Sequence, residues 1–375
     1  MTRKIVVTGG HHTPALAVIK SLQRQAGASA LSFFWVGHRF SMWGDRNVSV
    51  EYRQVTDLGI PFFDLRAGKF HNTLHPLKLI RIPFGFLQAF IFLLMIRPHL
   101  VVSFGGYLAV PVVFAAWLLR IPVVTHEQTT VAGSASRFIA IFARKVFISF
   151  ESSARFFPKK KTYLIGNPLR EEIFIDQSHL DFGNGRRTIY FTGGKQGSHV
   201  INKFVESNLV KILPLYNVIH QCGSSSVNND FFSLTSLFNR LDPKLKKGYL
   251  VKDFFGSDEI GSVFAAASVV VSRSGANAVY EIGALGKPAI LIPISWSSHQ
   301  EQRFNAQFLA GGGGAVILEE VDLNETSFLA VINQIFSTYT HYKRQAELFS
   351  QSFPRDAGDV MAREILSAAL SVSAK

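Results

Sequence analysis

Short apolar runs, each followed by a turn and then a helix, recur along the whole chain. The clearest example lies within residues 266–306. There, residues 269–271 predict a buried strand, residues 276–285 a helix closed by Gly286, and residues 289–292 a second buried strand. Two strands joined by a crossover helix form a unit of parallel sheet. Its recurrence therefore predicts the α/β class, with doubly wound parallel sheets.

The alternation is interrupted once, near the middle of the chain. Residues 176–187 are polar and contain glycines, which is typical of a linker, and the pattern restarts with a strand at residues 188–192. The first half is less regular at residues 51–68, where we expect a short strand near residues 53–55. A length of 375 residues also fits two domains.

The composition indicates packed domains and an anionic partner. The chain is 47% apolar and 17% charged, and its formal net charge is +13. This excess favours nucleic acid, an anionic membrane surface or a phosphorylated substrate as partner. The single cysteine, Cys222, excludes an internal disulfide and a thiolate metal cage. We expect no signal peptide, because the N-terminal residues lack an apolar core and a cleavage site.

Residues 82–96 are apolar on all sides of a predicted helix, with Arg81 and Arg97 at either end. The segment is shorter than the ~20 residues that a spanning helix needs. Three interpretations stay open: a sandwiched core helix, a helix that dips into one leaflet, and a true span. Apolar surface ringed by basic residues suits anionic lipid headgroups. The candidate membrane contacts are Phe84, Phe86, Phe90, Phe92, Arg81 and Arg97.

Two glycine-containing loops follow predicted strands and precede helices. The first, Gly9-Gly10-His11, either approaches a ligand, with His11 as base or orienter, or is a plain turn with solvated histidines. The second, at residues 193–198 with Lys195, either holds phosphate or is a structural turn. Neither has the full dinucleotide or P-loop pattern, which disfavours nicotinamide binding and ATP hydrolysis.

Polar residues gather at one end of the unit in residues 266–306. A helix start at that end would offer free N–H groups to a phosphate. Asn277 and Glu281 share a helix face because they are four residues apart, and the carboxylate could accept hydrogen bonds from a ribose diol. The polar residues of this end are Arg273, Ser274, Asn277, Glu281, Glu301, Gln302 and Asn305.

His126-Glu127-Gln128 follows another predicted strand. Adjacent side chains point apart, so His126 and Glu127 do not form a metal pair, and the loop either braces the sheet or contacts a ligand. The chain lacks both a metalloprotease motif and an Asp-x-Asp pair. We therefore expect no metal site and no tightly bound cofactor, with loosely associated Mg²⁺ left open. If a nucleotide sugar binds, then backbone N–H groups, Lys195 and Arg170 must neutralise its phosphates.

Seven short motifs in a fixed order resemble the MurG family, glycosyltransferases of peptidoglycan synthesis with the GT-B fold. The resemblance covers nearly the whole chain. The motifs are TGGH with Pro14, Phe104-Gly105-Gly106-Tyr107, His126-Glu127-Gln128, Gly166-Asn167-Pro168-Leu169-Arg170, Gly193-Gly194-Lys195-Gln196-Gly197, Arg273-Ser274-Gly275-Ala276 with Glu281, and Glu301-Gln302 with Asn305-Ala306.

The resemblance implies an inverting transfer of N-acetylglucosamine from its UDP donor. The acceptor would be the C4 hydroxyl of a muramyl-pentapeptide on a polyprenyl diphosphate, which converts lipid I to lipid II. It implies two Rossmann-like domains facing a cleft: an acceptor and membrane domain, residues 1–168, and a donor domain, residues 169–352. The C-terminal helix, residues 353–375, would pack back on the first domain. The enzyme would lie on the anionic cytoplasmic face of the bacterial membrane, without a nucleic acid partner.

The resemblance also assigns roles to individual residues. His11 would be the catalytic base, and Gly105, Gly106, Tyr107, His126 and Glu127 would lie by the acceptor. The donor-binding residues would be Thr8, Gly9, Gly10, Thr129, Arg170, Lys195, Phe255, Arg273, Ser274, Gly275, Ala276, Asn277, Ala278, Val279, Tyr280, Glu281, Glu301 and Gln302.

This chain departs from the family pattern at four places, namely Val6-Val7, Thr129, Lys195 and Glu301. The family has glycines, asparagine, serine and glutamine there. Lys195 would strengthen diphosphate binding, whereas Glu301 can accept from a sugar hydroxyl but cannot donate. The departures leave the exact donor sugar open. Two alternatives also remain: a transferase of the same fold with another lipid or polyprenyl-diphosphate acceptor, and a non-catalytic scaffold that binds nucleotide sugars.

Overall fold

The computed structural model describes residues 2–27, 29–40, 48–68, 76–225, 227–297 and 300–370. The chain forms two units, Met1–Arg170 with Pro354–Lys375, and Glu171–Phe353. This division lies two residues beyond the predicted boundary at residue 168. Each unit contains one sheet whose named strands all pair in parallel, as the strand–helix alternation predicts.

The first unit holds a seven-stranded sheet in the order β3-β2-β1-β4-β5-β6-β7. Its strands are β1 (Arg3–Thr8), β2 (Leu31–Gly37), β3 (Phe62–Asp64), β4 (Leu100–Ser103), β5 (Val123–Glu127), β6 (Lys145–Ile148) and β7 (Thr162–Leu164). Its first five helices are α1 (His12–Ala26), α2 (Val50–Asp57), α3 (Pro76–Ile96), α4 (Ala109–Leu118) and α5 (Ser134–Phe142).

The two faces of this sheet are covered by separate apolar clusters. Ile5 and Val7 of β1 pack into one cluster, together with side chains of α1. Val6, between them, packs into the other, together with side chains of α3, α4 and α5. Successive strand side chains point to opposite faces, so burial on both sides explains why the strands read as continuous apolar runs.

The strand predicted near residues 53–55 is wrong, because this segment lies within α2. The side-chain oxygen of Ser49 accepts a hydrogen bond from the Tyr52 backbone N–H at 3.1 Å and caps the helix. Glu51 lies in the first turn, where a negative charge is favoured. The cap decides the conformation of a segment that has no clear apolar period.

The second unit holds a six-stranded sheet in the order β10-β9-β8-β11-β12-β13. Its strands are β8 (Thr188–Thr192), β9 (Asn217–Gln221), β10 (Tyr249–Lys252), β11 (Val269–Ser272), β12 (Ala289–Leu291) and β13 (Ala315–Ile317). Its helices are α6 (His199–Ile212), α7 (Asp230–Arg240), α8 (Pro243–Lys246), α9 (Ile260–Ala266), α10 (Ala276–Ala284), α11 (Glu301–Gly311), α12 (Glu325–Ser337) and α13 (Tyr339–Ser350).

The last helix, α14 (Ala357–Leu370), belongs to the first unit. Met361 and Ile365 are buried in the same cluster as Leu22 of α1. Arg24 pairs with Asp359 across this helix contact, with Nη2 2.6 Å from Oδ1. Helix α14 therefore packs on the core that contains the side chains of β1 and α1.

Helix α3 packs against the core along one face. Ala89, Leu93 and Ile96 are buried, whereas Ile91 and Met95 are exposed. The side chains of residues 76–81, including Arg81, lie outside the described part of the chain. Within the described residues, we find no helix that combines the length and the apolar character needed to cross a bilayer.

A network of buried polar side chains lies beside β9 in the second unit. His220 Nε2 lies 3.0 Å from Asn202 Oδ1, and its Nδ1 lies 3.2 Å from the Tyr249 hydroxyl. Asn202 in turn donates to Asp230 at 2.7 Å. The amide oxygen only accepts, so Nε2 carries the hydrogen of a neutral ring. Burial lowers the pKa of His220 to about 3.

This histidine makes stability depend on pH. In the unfolded chain this histidine takes up a proton near pH 6.5, whereas in the folded protein it stays neutral down to about pH 3. The stability that neutral His220 contributes to the folded state is therefore complete above pH 6.5 and is lost as the pH falls. We expect the free energy of unfolding to drop by about 2 kcal/mol from this residue between pH 6.5 and 5. Urea denaturation at each pH measures it. His220→Gln should flatten the dependence and His341→Gln, an exposed control, should not. An unchanged slope in the His220 variant would contradict the assignment.

Candidate functional site

Each sheet reverses its strand order at one place, between β1 and β4 in the first unit and between β8 and β11 in the second. In open parallel sheets, ligands bind outside the carboxyl ends of the strands at such a reversal. The loops that follow these four strands contain three of the glycine motifs and the Arg273 turn singled out from the sequence. The candidate site residues are therefore grouped by unit around these two points.

In the first unit, the turns after β1 and β4 touch through their backbones. The Phe104 N–H donates to the Thr8 carbonyl at 2.8 Å, and the Gly10 N–H donates to the Gly105 carbonyl at 3.1 Å. Gly9 has φ +138°, and a Cβ there would lie 2.8 Å from the Phe104 backbone. Close packing of the two turns thus requires glycine before any ligand is considered.

His11 is the N-cap residue of α1 and is half-buried. Desolvation lowers the pKa of its imidazole to about 4, so the ring is neutral at neutral pH and able to accept a proton. Tyr107, also half-buried, has a pKa raised by burial and by the nearby charge of Glu51. Thr8 is fully buried, and its hydroxyl has no hydrogen-bond partner among the described residues.

His126 lies inside the sheet, with no exposed surface. Its Nε2 is 3.0 Å from the Gly166 carbonyl oxygen, and its ring lies 5.9 Å from that of Phe104. The carbonyl only accepts, so Nε2 carries the hydrogen. Burial lowers the pKa of His126 to about 4. These contacts favour the bracing interpretation of this loop.

Glu127 and Thr129 are hydrogen-bonded to each other within that loop. Both the backbone N–H and the hydroxyl of Thr129 lie within hydrogen-bonding distance of Glu127 Oε1, at 3.0 and 2.7 Å. Burial raises the pKa of the Glu127 carboxyl, and the bonds from Ser136 and Thr129 partly offset this rise. Thr129 was expected among the donor contacts, but its side chain is buried and turned into its own loop.

In the second unit, the glycine loop after β8 lies against the end of β9. Gly197 has φ +85°, and a Cβ there would lie 1.9 Å from the Cys222 carbonyl oxygen. A Cβ on Gly193 would lie 2.1 Å from the Ser198 nitrogen. The Lys195 carbonyl accepts from the Ser224 N–H at 3.1 Å. These glycines therefore have a packing role that a phosphate-loop interpretation alone does not reveal.

Sequence reasoning missed Gln221, the last residue of β9. Its Nε2 donates to the Gly194 carbonyl at 3.1 Å, and its Oε1 accepts from the Phe255 backbone N–H at 3.2 Å. It thus joins the loops that follow β8 and β10. The available signal was a polar residue at the carboxyl end of a fully buried strand.

Lys195 and Phe255, two of the predicted donor contacts, occupy different environments. The half-buried Lys195 has its Nζ 5.9 Å from the centroid of the Phe254 ring. The side chain of Phe255 is buried against Tyr190, with ring centroids 6.2 Å apart. The Phe255 backbone N–H, in turn, already donates to Gln221.

Arg273, predicted to contact the donor, also binds protein groups. Its Nε donates to Ser198 Oγ at 2.8 Å, and its Nη1 donates to the Ile292 carbonyl at 3.2 Å. Next to it, Ser274 is fully buried and its hydroxyl has no partner among the described residues. Asn305 Nδ2 donates to the Ser274 carbonyl at 3.1 Å and holds the turn.

Helix α10 begins after Gly275, as the sequence predicts, and Gly286 follows it with φ +61°. Gly275 has no side chain with which to cap the first turn, and that turn contains Ala276, Asn277 and Ala278. Val279 and Tyr280 are buried, the latter with its ring 4.9 Å from Phe353. The Val279 N–H already donates to the Gly275 carbonyl at 3.0 Å within the helix. Glu281 is buried at the next turn.

Glu301 and Gln302, which the resemblance places by the sugar of the donor, are the first two residues of α11. Gln302 uses its Oε1 to accept from the Ile294 N–H at 3.1 Å, which holds the segment after β12. Glu301 beside it is half-buried. Arg170, expected near the nucleotide, is the last residue of the first unit and is half-buried.

The predicted membrane phenylalanines do not share one environment. Phe84 is exposed, whereas Phe86 rests on Phe114 and Phe92 on Phe63, with ring centroids 5.5 and 5.1 Å apart. Phe90 is half-buried against the core. Among the side chains of α3 that the structure describes, the other large exposed apolar ones are Leu87, Ile91, Leu94 and Met95.

Comparison with known proteins matches both halves of the chain. Residues 6–148 match the glycosyltransferase family 28 N-terminal domain, and residues 188–360 match the corresponding C-terminal domain. The chain is 31% identical over 355 residues to UDP-N-acetylglucosamine–N-acetylmuramyl-(pentapeptide) pyrophosphoryl-undecaprenol N-acetylglucosamine transferase 2 of Bacillus cereus. The match covers 91% of this chain and 94% of that relative.

Solved structures are similar over nearly the full length. The crystal structure of MurG from Acinetobacter baumannii has a TM-score of 0.67 at 24% identity and covers 97% of this chain and 99% of its own. A UDP-GlcNAc 2-epimerase from Neisseria meningitidis, solved with UDP-GlcNAc bound, has a TM-score of 0.62 at 12% identity, with coverage of 98% and 100%. At these identities the likeness shows the fold alone.

The contact at Gly197 gives a test of the packing role. Gly197→Ala should lower the free energy of unfolding, since overpacking costs ~1–3 kcal/mol and the left-handed backbone adds about 1 kcal/mol more. Denaturant unfolding measures the change. Gly311→Ala is the matched control, because a Cβ there meets no atom within 4 Å. Equal stability of the two variants would argue against close packing at Gly197.

Proposed function

This chain belongs to the MurG family of glycosyltransferases, and from that membership we propose that it transfers N-acetylglucosamine from UDP-N-acetylglucosamine to the C4 hydroxyl of lipid-linked N-acetylmuramyl-pentapeptide. Its two parallel-sheet α/β units are those of the GT-B fold. The product of this step, lipid II, serves peptidoglycan synthesis. The family's substrates and the geometry of each unit support this assignment.

The start of α10 is the observation that best supports the proposed binding of the UDP donor. This helix begins at the strand-order reversal, directly after β11, and Gly275 leaves its first turn without a capping side chain. The N-terminal end of a helix carries a partial positive charge, and its backbone N–H groups can donate to the oxygens of a diphosphate. Glu281 lies one turn further along, where a carboxylate can accept from both hydroxyls of a ribose. We place UDP here, with Lys195 as an additional cation and Glu301 and Gln302 towards the sugar.

The acceptor half rests on His11. Its neutral imidazole can take the proton from the acceptor hydroxyl as the hydroxyl oxygen attacks the anomeric carbon. The bond to UDP breaks in the same displacement, and UDP leaves with the electron pair. The anionic diphosphates of the substrates would raise the pKa of His11 towards the range in which a base works best. Direct acceptor contacts by Gly105, Gly106 and Tyr107 belong to the same proposal.

We propose that the reaction needs no tightly bound cofactor. The developing charge on UDP would then be stabilised by the N-terminal end of α10 and by Lys195, with Arg170 near the nucleotide. No group of three or more acidic, histidine or cysteine side chains suited to a metal occurs within the described ranges.

A turnover assay with UDP-N-acetylglucosamine and a lipid I analogue tests this function. His11→Ala should lower kcat by about 10²–10⁴-fold with little change in donor affinity. Glu281→Ala should instead weaken donor binding about ten- to a hundredfold, since a hydrogen bond to a charged group contributes ~1.5–3 kcal/mol.

The neighbouring histidine offers a matched control. His12 Nε2 lies 3.1 Å from Gln54 Oε1, and His12→Ala should keep kcat within a few-fold of the wild-type value. Full activity of the His11 variant would remove it as the base. Donor binding without release of UDP in the wild-type protein would favour the non-catalytic scaffold. Transfer only to other lipid acceptors would favour a transferase of the same fold with a different acceptor.

We further propose that the first unit docks on the cytoplasmic face of the membrane through α3, α4 and α5. Exposed apolar side chains occur on all three helices, which pack on the same face of the sheet. The helices are neighbours, since the rings of Phe86 and Phe114 lie 5.5 Å apart and those of Trp117 and Phe142 lie 5.2 Å apart. Apolar surface exposed on neighbouring helices is a candidate interaction site. The exposed apolar residues are Phe84, Leu87, Ile91, Leu94, Met95, Trp117, Leu118, Phe138 and Ile141.

The charge beside this surface favours an anionic bilayer as partner. An exposed arginine closely follows each of the three helices: Arg97 after α3, Arg120 after α4 and Arg144 after α5. Each lies within a few residues of an exposed apolar side chain in the last turn of its helix. A basic residue near an anionic membrane surface contributes about 1 kcal/mol.

Vesicle sedimentation tests the docking proposal. Trp117→Glu with Ile141→Glu should reduce partition to phosphatidylglycerol vesicles at least tenfold, because burying one such side chain is worth ~1.5–3 kcal/mol. Phe232→Glu changes an exposed aromatic of the second unit and should leave partition unchanged. Raising the salt should weaken binding by the wild type. Equal loss in the double variant and the control would contradict this surface.

A further inference from the structure

Arg273 connects the ends of four neighbouring strands of the second sheet. It follows β11 and bonds to Ser198, beyond β8, and to Ile292, beyond β12. Its Nη1 also pairs with the Glu320 carboxylate, just beyond β13. Because β8, β11, β12 and β13 are consecutive in the sheet, one guanidinium group sets the relative positions of all four ends.

Glu320 supplies the counter-charge for this arginine. The side chain of Arg273 is only 11% exposed and that of Glu320 22% exposed. A buried guanidinium without a partner carries a large desolvation penalty. Without the carboxylate, the guanidinium would lose the charged partner that fixes its orientation, and its bonds to Ser198 and Ile292 would loosen.

The Ser198 contact extends this arrangement to the glycine loop. Ser198 ends the loop and is the N-cap residue of α6, where its Oγ accepts from the Ile201 N–H at 3.5 Å. Gln221 already holds the other end of the loop at Gly194. The loop is thus held at both ends, and Arg273 forms the connection to the turn that precedes α10.

We infer that Glu320 is a positioning residue for the donor: through Arg273 it keeps the glycine loop and the start of α10 at the spacing that the UDP diphosphate requires. The inference rests on the proposed function. Because Glu320 acts through Arg273, its removal should affect donor binding rather than the chemical step.

The adjacent residue provides a matched control. Glu319 pairs with Arg303 at 3.5 Å, and the Arg303 side chain is 54% exposed. Glu320→Gln and Glu319→Gln therefore remove the same charge from the same segment, and only the first disturbs the buried pair. Three readouts are compared with the wild type: UDP affinity by calorimetry, donor KM with kcat, and hydrogen exchange of residues 194–202.

We expect Glu320→Gln to raise the UDP Kd and the donor KM roughly tenfold, with kcat at saturating donor within about twofold. Amide exchange in residues 194–202 should rise in this variant. Glu319→Gln should change none of these readouts. If Glu320→Gln fails to fold, Glu320→Asp, which keeps a shorter carboxylate, should show intermediate increases in Kd and in exchange.

Two results would overturn the inference: a UDP Kd equal to that of the wild type, or unchanged exchange in residues 194–202. If the first result came with a lower melting temperature, the pair would be purely stabilising. Failure of the wild type to bind UDP would count against the proposed function instead. The exchange experiment needs no donor and still tests whether Glu320 holds the glycine loop.

Discussion

Backbone contact between turns at the carboxyl ends of the strands is the constraint on which the rest of the structure depends. In the first unit the turn at Gly9 lies against Phe104, and in the second the turn at Gly197 lies against Cys222. Neither approach leaves room for a Cβ. The adjacent strands can therefore bring their ends together, and with them the helix starts whose N–H groups suit anionic ligands.

The interior of the molecule avoids unbalanced charge. Burial keeps His126 and His220 neutral, and the mostly buried Arg273 has the Glu320 carboxylate beside it. The exposed arginines Arg97 and Arg120 lie instead at helix ends on the surface. A net charge of +13 is thus available to anionic partners, in keeping with diphosphate substrates and a phospholipid surface.

Much of the fold could be predicted because its elements have strong local signals. Helix α10, with glycine before it and Gly286 after it, and the parallel sheets follow from pattern alone. The predicted strand at residues 53–55 was wrong because a cap at Ser49 decided a segment without a clear period. Gln221 was missed because its importance comes from two loops that are distant in sequence.

The sequence by itself determined the α/β class, the two sheets, the family and the strand ends at which polar residues gather. Strands buried on both faces appear in the sequence as continuous apolar runs, and the turns between elements appear as glycine-containing segments. Only the tertiary structure decided which of those polar residues contact protein. Arg273, for example, binds Ser198, and Thr129 binds Glu127. The physical reason is that a side chain's partners depend on which strands are neighbours, and residues 75 positions apart, such as Ser198 and Arg273, meet only once the sheet has formed.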